Sequence, residues 1–114
     1  MDFEFRRGDT QFIRFKLKDA SGEPLQLDLT DRMYFTVKTD ANSTKVLLQK
    51  KFPDDITYDD GYYVFTITSE DTSNMAYGDY QYDIEVKTID DIVKTVGEGT
   101  ITLTEEITHR RDEV

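Results

Sequence analysis

The sequence predicts an all-β domain, an antiparallel β-sandwich of about seven short strands. Three observations carry that reading. Apolar residues recur with period 2, most cleanly from Asp79 to Lys87, where Tyr80, Tyr82, Ile84 and Val86 alternate with Gln81, Asp83, Glu85 and Lys87. Such a segment has one apolar face and one charged face, as a half-buried antiparallel strand does. Clusters of Gly, Pro, Asp and Asn punctuate the segments at regular spacing. No stretch of useful length carries helical periodicity.

Taken in order, Phe3 and Phe5 open a short alternating segment that ends at Arg7-Gly8-Asp9. Gln11 to Lys18 sets Ile13, Phe15 and Leu17 against Arg14, Lys16 and Lys18. Ala20-Ser21-Gly22-Glu23-Pro24 is a turn. Met33, Phe35 and Val37 share a face opposite Tyr34, Thr36 and Lys38. Val46 to Phe52 is a weaker, basic strand, and Pro53-Asp54-Asp55 and Tyr58-Asp59-Asp60-Gly61 bracket a loop. Tyr62 to Thr68 places Tyr63, Phe65 and Ile67 on one side. Ser69 to Met75 is the one candidate helical turn, with Ser69 as its cap. Ile89-Asp90-Asp91 is a hairpin turn. Ile92 to Val96 and Thr100 to Leu103 form one long strand, interrupted by Gly97-Glu98-Gly99 as at a bulge or bend. The predicted core is Ile13, Phe15, Leu17, Phe35, Val37, Phe65, Ile67, Tyr80, Tyr82, Ile84, Val86, Ile101 and Leu103. One domain is expected over 1–108, with a polar tail at 109–114.

The totals bound what such a domain can do. At 114 residues it has the length of a single domain. Its 33% charged residues are many, but 7 Phe and 7 Tyr argue for a packed core over disorder. Acids outnumber bases 24 to 14, a net charge of −10, which repels phosphate backbones and anionic membranes. No nucleic-acid or membrane partner is expected. With no cysteine there is neither a disulfide framework nor thiolate chemistry. The first residues lack the blocks of a signal peptide, so synthesis in the cytoplasm is the expectation.

Enzyme chemistry finds little material. His109 is the one histidine and lies in the polar tail, so a nucleophile has no plausible base. The acidic pairs Asp54-Asp55, Asp59-Asp60, Asp90-Asp91 and Glu105-Glu106 read as turn formers and solubilising groups. Clustered oxygens at Asp54, Asp55, Asp59 and Asp60 would suit calcium, but the EF-hand spacing is absent. The expectation is a protein without catalytic residues, metal or cofactor. Arg7-Gly8-Asp9 matches the tripeptide read by adhesion receptors, but a glycine is also what an edge strand needs where it kinks or switches sheets. The strand break is the reading adopted.

Met75-Ala76-Tyr77-Gly78-Asp79-Tyr80 is the most specific stretch. A short turn, an apolar residue, a glycine and an aromatic opening an alternating strand resemble the tyrosine corner of immunoglobulin-like domains, with Tyr80 as corner residue and Met75 and Gly78 shaping it; Tyr82 is the second choice. The chain as a whole resembles a family of immunoglobulin-like modules in tailed phages and prophages, in particular the N-terminal domain of baseplate upper proteins of phages infecting Gram-positive bacteria. The order of four landmarks carries this: Arg7-Gly8-Asp9-Thr10; Asp19 to Thr30 followed by Phe35-Thr36-Val37-Lys38; Met75 to Ile84; and Val93 to Ile101 with a closing Ile107-Thr108. Members often continue into a longer trimerising or fibre-bearing region, whereas this sequence stops at residue 114, so a stand-alone version is expected.

The resemblance implies a virion structural protein of a tail or baseplate. It would act by protein–protein contact with other tail or baseplate proteins or with copies of itself. Candidate interface residues are Lys45, Lys50 and Lys51 on the basic strand and the tyrosines Tyr34, Tyr58, Tyr62 and Tyr77. The alternative is a small carbohydrate-binding module that helps a tail recognise the host cell wall.

Overall fold

The alternation in the sequence sorts into two packed sheets. A computed structural model describes residues 2–19, 21–40 and 42–105. In chain order the elements are β1 (Phe3–Arg6), β2 (Gln11–Phe15), β3 (Arg32–Lys38), β4 (Leu48–Phe52), β5 (Thr57–Asp59), β6 (Tyr62–Ile67), α1 (Ser69–Ser73), β7 (Gly78–Lys87) and β8 (Val93–Thr104). One sheet has the order β1-β8-β7-β3-β4 and the other β2-β6-β5. The all-β sandwich is as read, with an eighth strand and one parallel pair.

The parallel pair is β1 beside β8, in register from Phe3 with Ile101 to Arg6 with Thr104. All other neighbours run antiparallel. Period 2 specifies which face of a strand is buried, but carries no information on the direction of its partner. The eighth strand is β5, in a stretch expected to be loop. Asp60 and Gly61 both have positive φ, 50° and 86°. They form a two-residue hairpin turn that brings Asp59 opposite Tyr62 and Tyr58 opposite Tyr63.

Smaller differences have local causes. α1 is capped by Thr68 rather than Ser69: Thr68 Oγ1 accepts from the Asp71 amide, and the Asp71 carboxylate accepts from the Thr68 amide, a reciprocal capping box. β2 ends at Phe15, yet Leu17 stays buried because its carbonyl accepts from the Leu25 amide at 2.8 Å. β4 begins at Leu48, leaving Lys45 and Val46 in the connection. The irregularity in β8 falls at Val96, just before the expected Gly97-Glu98-Gly99, where the register skips a residue between Ile84 with Gly97 and Glu85 with Thr95.

All thirteen predicted core residues are buried. Phe35 of the five-stranded sheet meets Phe65 of the three-stranded sheet with ring centroids 4.7 Å apart, and Tyr82 at 5.1 Å on its own sheet. Phe5, Leu27, Met33, Phe52, Ile56, Tyr63 and Met75 complete the core. Tyr63 is fully buried and has its polar end satisfied: its hydroxyl donates to the Leu25 carbonyl at 2.7 Å and accepts from the Leu27 amide at 2.9 Å. The long β2–β3 connection is thereby sewn onto the core.

Two substitutions separate core from surface. Phe35→Ala empties the contact between the sheets and should cost about 3–5 kcal/mol. Phe12→Ala, at a side chain 71% exposed on the outer face of β2, should stay within about 0.5 kcal/mol of wild type. Urea unfolding with unchanged m-values checks both.

Candidate interaction surfaces

One end of the sandwich holds the crossing between sheets. β1 leaves the five-stranded sheet and β2 enters the three-stranded one, with Arg7-Gly8-Asp9 between them. Gly8 has φ 84°, a conformation that favours glycine. It is buried, and its amide donates to Thr72 Oγ1 of α1 at 2.8 Å. Thr72 is buried, 2% exposed. Arg7 turns inward as well. Its Nη1 donates to the Met75 carbonyl at 3.2 Å, its Nη2 to the Tyr77 hydroxyl at 3.0 Å, and its guanidinium carbon lies 4.2 Å from the Tyr77 ring centroid. An arginine held in this way does not project from a loop tip, and the geometry is that of a strand break.

The turn from Met75 to Tyr80 lies at the same end. Tyr80 is buried, and its hydroxyl donates to the Ala76 carbonyl, four residues upstream, at 2.5 Å. Met75 is buried beneath the turn. Gly78 opens β7 at φ 132°, a backbone angle that a side chain would strain. Tyr82 points into the core beside Phe3 and Phe35, and burial raises the pKa of its phenol.

The candidate interface residues do not share one surface. Lys50 is a correction. It stands opposite Phe35, whose side chain faces the core, so Lys50 also lies on the inner side of β4. Its ammonium reaches the Asp71 carboxylate of α1 at 2.8 Å, with side-chain exposures of 15% and 21%. An inward-pointing charge on an edge strand blunts that edge against further pairing. Lys51 and Tyr34 pair on the outer face of the five-stranded sheet, and Lys45 is exposed in the preceding connection. Tyr58 is half-buried, its ring 5.1 Å from that of Tyr63, as part of the core margin. Tyr77 carries Arg7. Tyr62 lies on the outer face of the three-stranded sheet beneath two cations: Arg14 at 3.5 Å and Lys16 at 4.5 Å from its ring centroid.

Among the described residues, no group of three or more His, Cys, Asp or Glu is placed to hold a metal ion. In the Asp54–Asp60 loop, Asp55 serves the turn, accepting from the Lys51 amide at 3.0 Å. His109 lies outside the described residues. No described helix is long and apolar enough to cross a membrane. A shallow groove of about 460 Å³ on the outer face of the five-stranded sheet includes Asp2, Lys38, Asp40, Asp83 and Glu98. No family model matches the chain, and no curated protein sequence matches it.

The corner makes two hydrogen bonds that can be cut singly. Thr72→Val should cost about 1–3 kcal/mol, because it leaves the buried Gly8 amide unpaired, and Tyr80→Phe about 1 kcal/mol. Urea midpoints read both.

The Lys50–Asp71 pair sets a pH dependence. Burial pushes the Asp71 carboxyl upward, but hydrogen bonds from Lys50 and Thr68 outweigh it and hold the group below its usual 3.8. A carboxyl with a depressed pKa in the folded state stabilises the fold above 3.8 and loses that contribution as pH falls through the lower, folded value. Asp71→Asn should therefore lose less stability between about pH 5 and pH 2 than wild type. Equal losses in the two proteins would contradict the assignment.

Proposed function

We propose that this chain is a non-enzymatic, immunoglobulin-like structural module of a phage or prophage tail or baseplate, working through protein–protein contact. The observation that carries the immunoglobulin-like part is strand order. A three-stranded sheet, β2-β6-β5, faces a larger one in which β7 lies between β8 and β3 and the first strand runs beside the last. That matches the B-E-D and G-F-C arrangement of immunoglobulin domains, with β4 in the added C′ position. The Tyr80 hydroxyl sits at the start of the strand corresponding to F, where the tyrosine corner of that architecture falls.

The phage assignment is supported by the order of the landmarks resembling baseplate upper proteins. Three of them fall on the working joints of this fold: the Gly8 crossing, the Asp19 loop and the Tyr80 corner. Asp19 organises its loop by accepting from the amides of Ser21 and Glu23 and from the Ser21 hydroxyl. In this reading the sandwich is a rigid spacer made in the bacterial cytoplasm. Its outer faces and end loops meet other tail proteins.

Mass spectrometry of purified phage particles, after induction of the prophages of the source strain, tests the assignment. The chain is expected in intact particles in fixed stoichiometry to the tail proteins. Its absence from particles while abundant in the cell would overturn the assignment.

A further inference from the structure

We propose that the outer face of the three-stranded sheet docks on the outer face of the five-stranded sheet of a second copy, so that copies of the chain stack front to back. This inference rests on the assembly reading above and names its surface and its partner.

The two outer faces differ in charge and shape. On the three-stranded sheet, β2 presents Phe12 and Arg14 outward, β6 presents Tyr62, Val64 and Thr66, and Lys16 follows on the same side. Phe12 is 71% exposed. Tyr62 holds Arg14 and Lys16 against its ring. Neither cation forms an ion pair with a described residue. Asp59, at the β5 edge, is the one carboxylate that these three strands turn to that face. On a chain of net charge −10, this is a local cationic and aromatic patch. Exposed aromatics beside arginine are the composition that protein interfaces favour.

The five-stranded sheet offers the complement. Its groove of about 460 Å³ has Asp2, Asp40, Asp83 and Glu98 around Lys38, four carboxylates to one ammonium. The register places Lys38, Asp83 and Glu98 on the outward side of adjacent strands. A ring covered by two cations thus faces a hollow lined by acids. The net charge does not forbid the contact. In physiological salt the screening length is about 8 Å. The molecule is 22 Å across its shortest axis, so whole-chain repulsion is damped while pairs in contact persist.

Because the faces lie on opposite sides of the sandwich, the contact is heterologous. Each copy keeps one face free, and the series grows until it closes as a ring or is capped by another protein.

Two double variants test this: Arg14→Glu with Lys16→Glu, and Asp40→Lys with Asp83→Lys. Sedimentation velocity of the wild-type chain should show species that grow with concentration. Each double variant alone should weaken association at least about tenfold. An equal mixture should recover association, through the pair of intact faces and through the pair of reversed faces, which is again opposite in charge. Carbodiimide cross-linking of the unaltered chain gives a second readout that does not depend on the variants. Lys16 should join to Asp2, Asp40 or Asp83 of another copy.

A wild-type chain monomeric to about 1 mM would overturn the proposal, as would variants that associate like wild type, a mixture that does not recover, or cross-links confined to other surfaces. A monomeric chain found in phage particles would remove the stacking and leave the tail assignment standing. A stacking chain absent from particles would do the reverse.

Discussion

The hydrogen bond from the Gly8 amide to Thr72 Oγ1 lies under the one place where the chain passes from the five-stranded sheet to the three-stranded sheet at its N-terminal end. The crossing must be tight, because β1 ends at Arg6 and β2 begins at Gln11. A tight crossing turns a backbone amide inward, where it needs a partner. Thr72 supplies one from a helix of five residues that is itself fixed by the capping box of Thr68 and Asp71. Asp71 in turn holds Lys50 of the far edge strand. Arg7 reaches the Met75 carbonyl, and Tyr80 the Ala76 carbonyl. First strand, helical turn, corner and edge strand are thus joined at one end of the sandwich by polar contacts that begin from a single glycine amide.

Much of this was legible in the residues, and what was missed has a physical pattern. Alternation of Tyr80, Tyr82, Ile84 and Val86 identified the central strand because one face is buried and the other wet, and period 2 records that difference directly. Gly8 was legible as a break because few other residues suit a positive φ. The parallel pairing of β1 with β8 was not legible, since the burial pattern of Phe3 and Phe5 is the same in either direction. β5 carries two signals in conflict: Asp60-Gly61 is a strong two-residue hairpin signal, but the surrounding aspartates have the composition of an open loop. Lys50 was misplaced because a lysine reads as outward, whereas the register with Phe35 turns it inward to a carboxylate supplied by another element. Thr72 carried no local signal. A threonine among Ser, Glu and Asp looks like surface, and its burial comes entirely from the strand crossing above it.

With the crossing and corner committed to holding the fold, the chemistry open to a partner lies on the two outer faces. In Arg7-Gly8-Asp9, the most suggestive string in the sequence, Arg7 and Gly8 are used internally and Asp9 is exposed. Tyr58 and Tyr77 are likewise occupied by Tyr63 and Arg7. Tyr62 serves as a platform for cations on one side of the molecule, while carboxylates gather around a groove on the other. The proposed stacking rests on this difference between the faces.

Arg7 and Gly8 lie in an internal strand crossing and not in a presented loop. Amide hydrogen exchange at Gly8 tests it most directly. If the amide is held by buried Thr72, it exchanges as slowly as the core amides of β7. Exchange as fast as at the exposed Ile89-Asp90 turn would contradict the account.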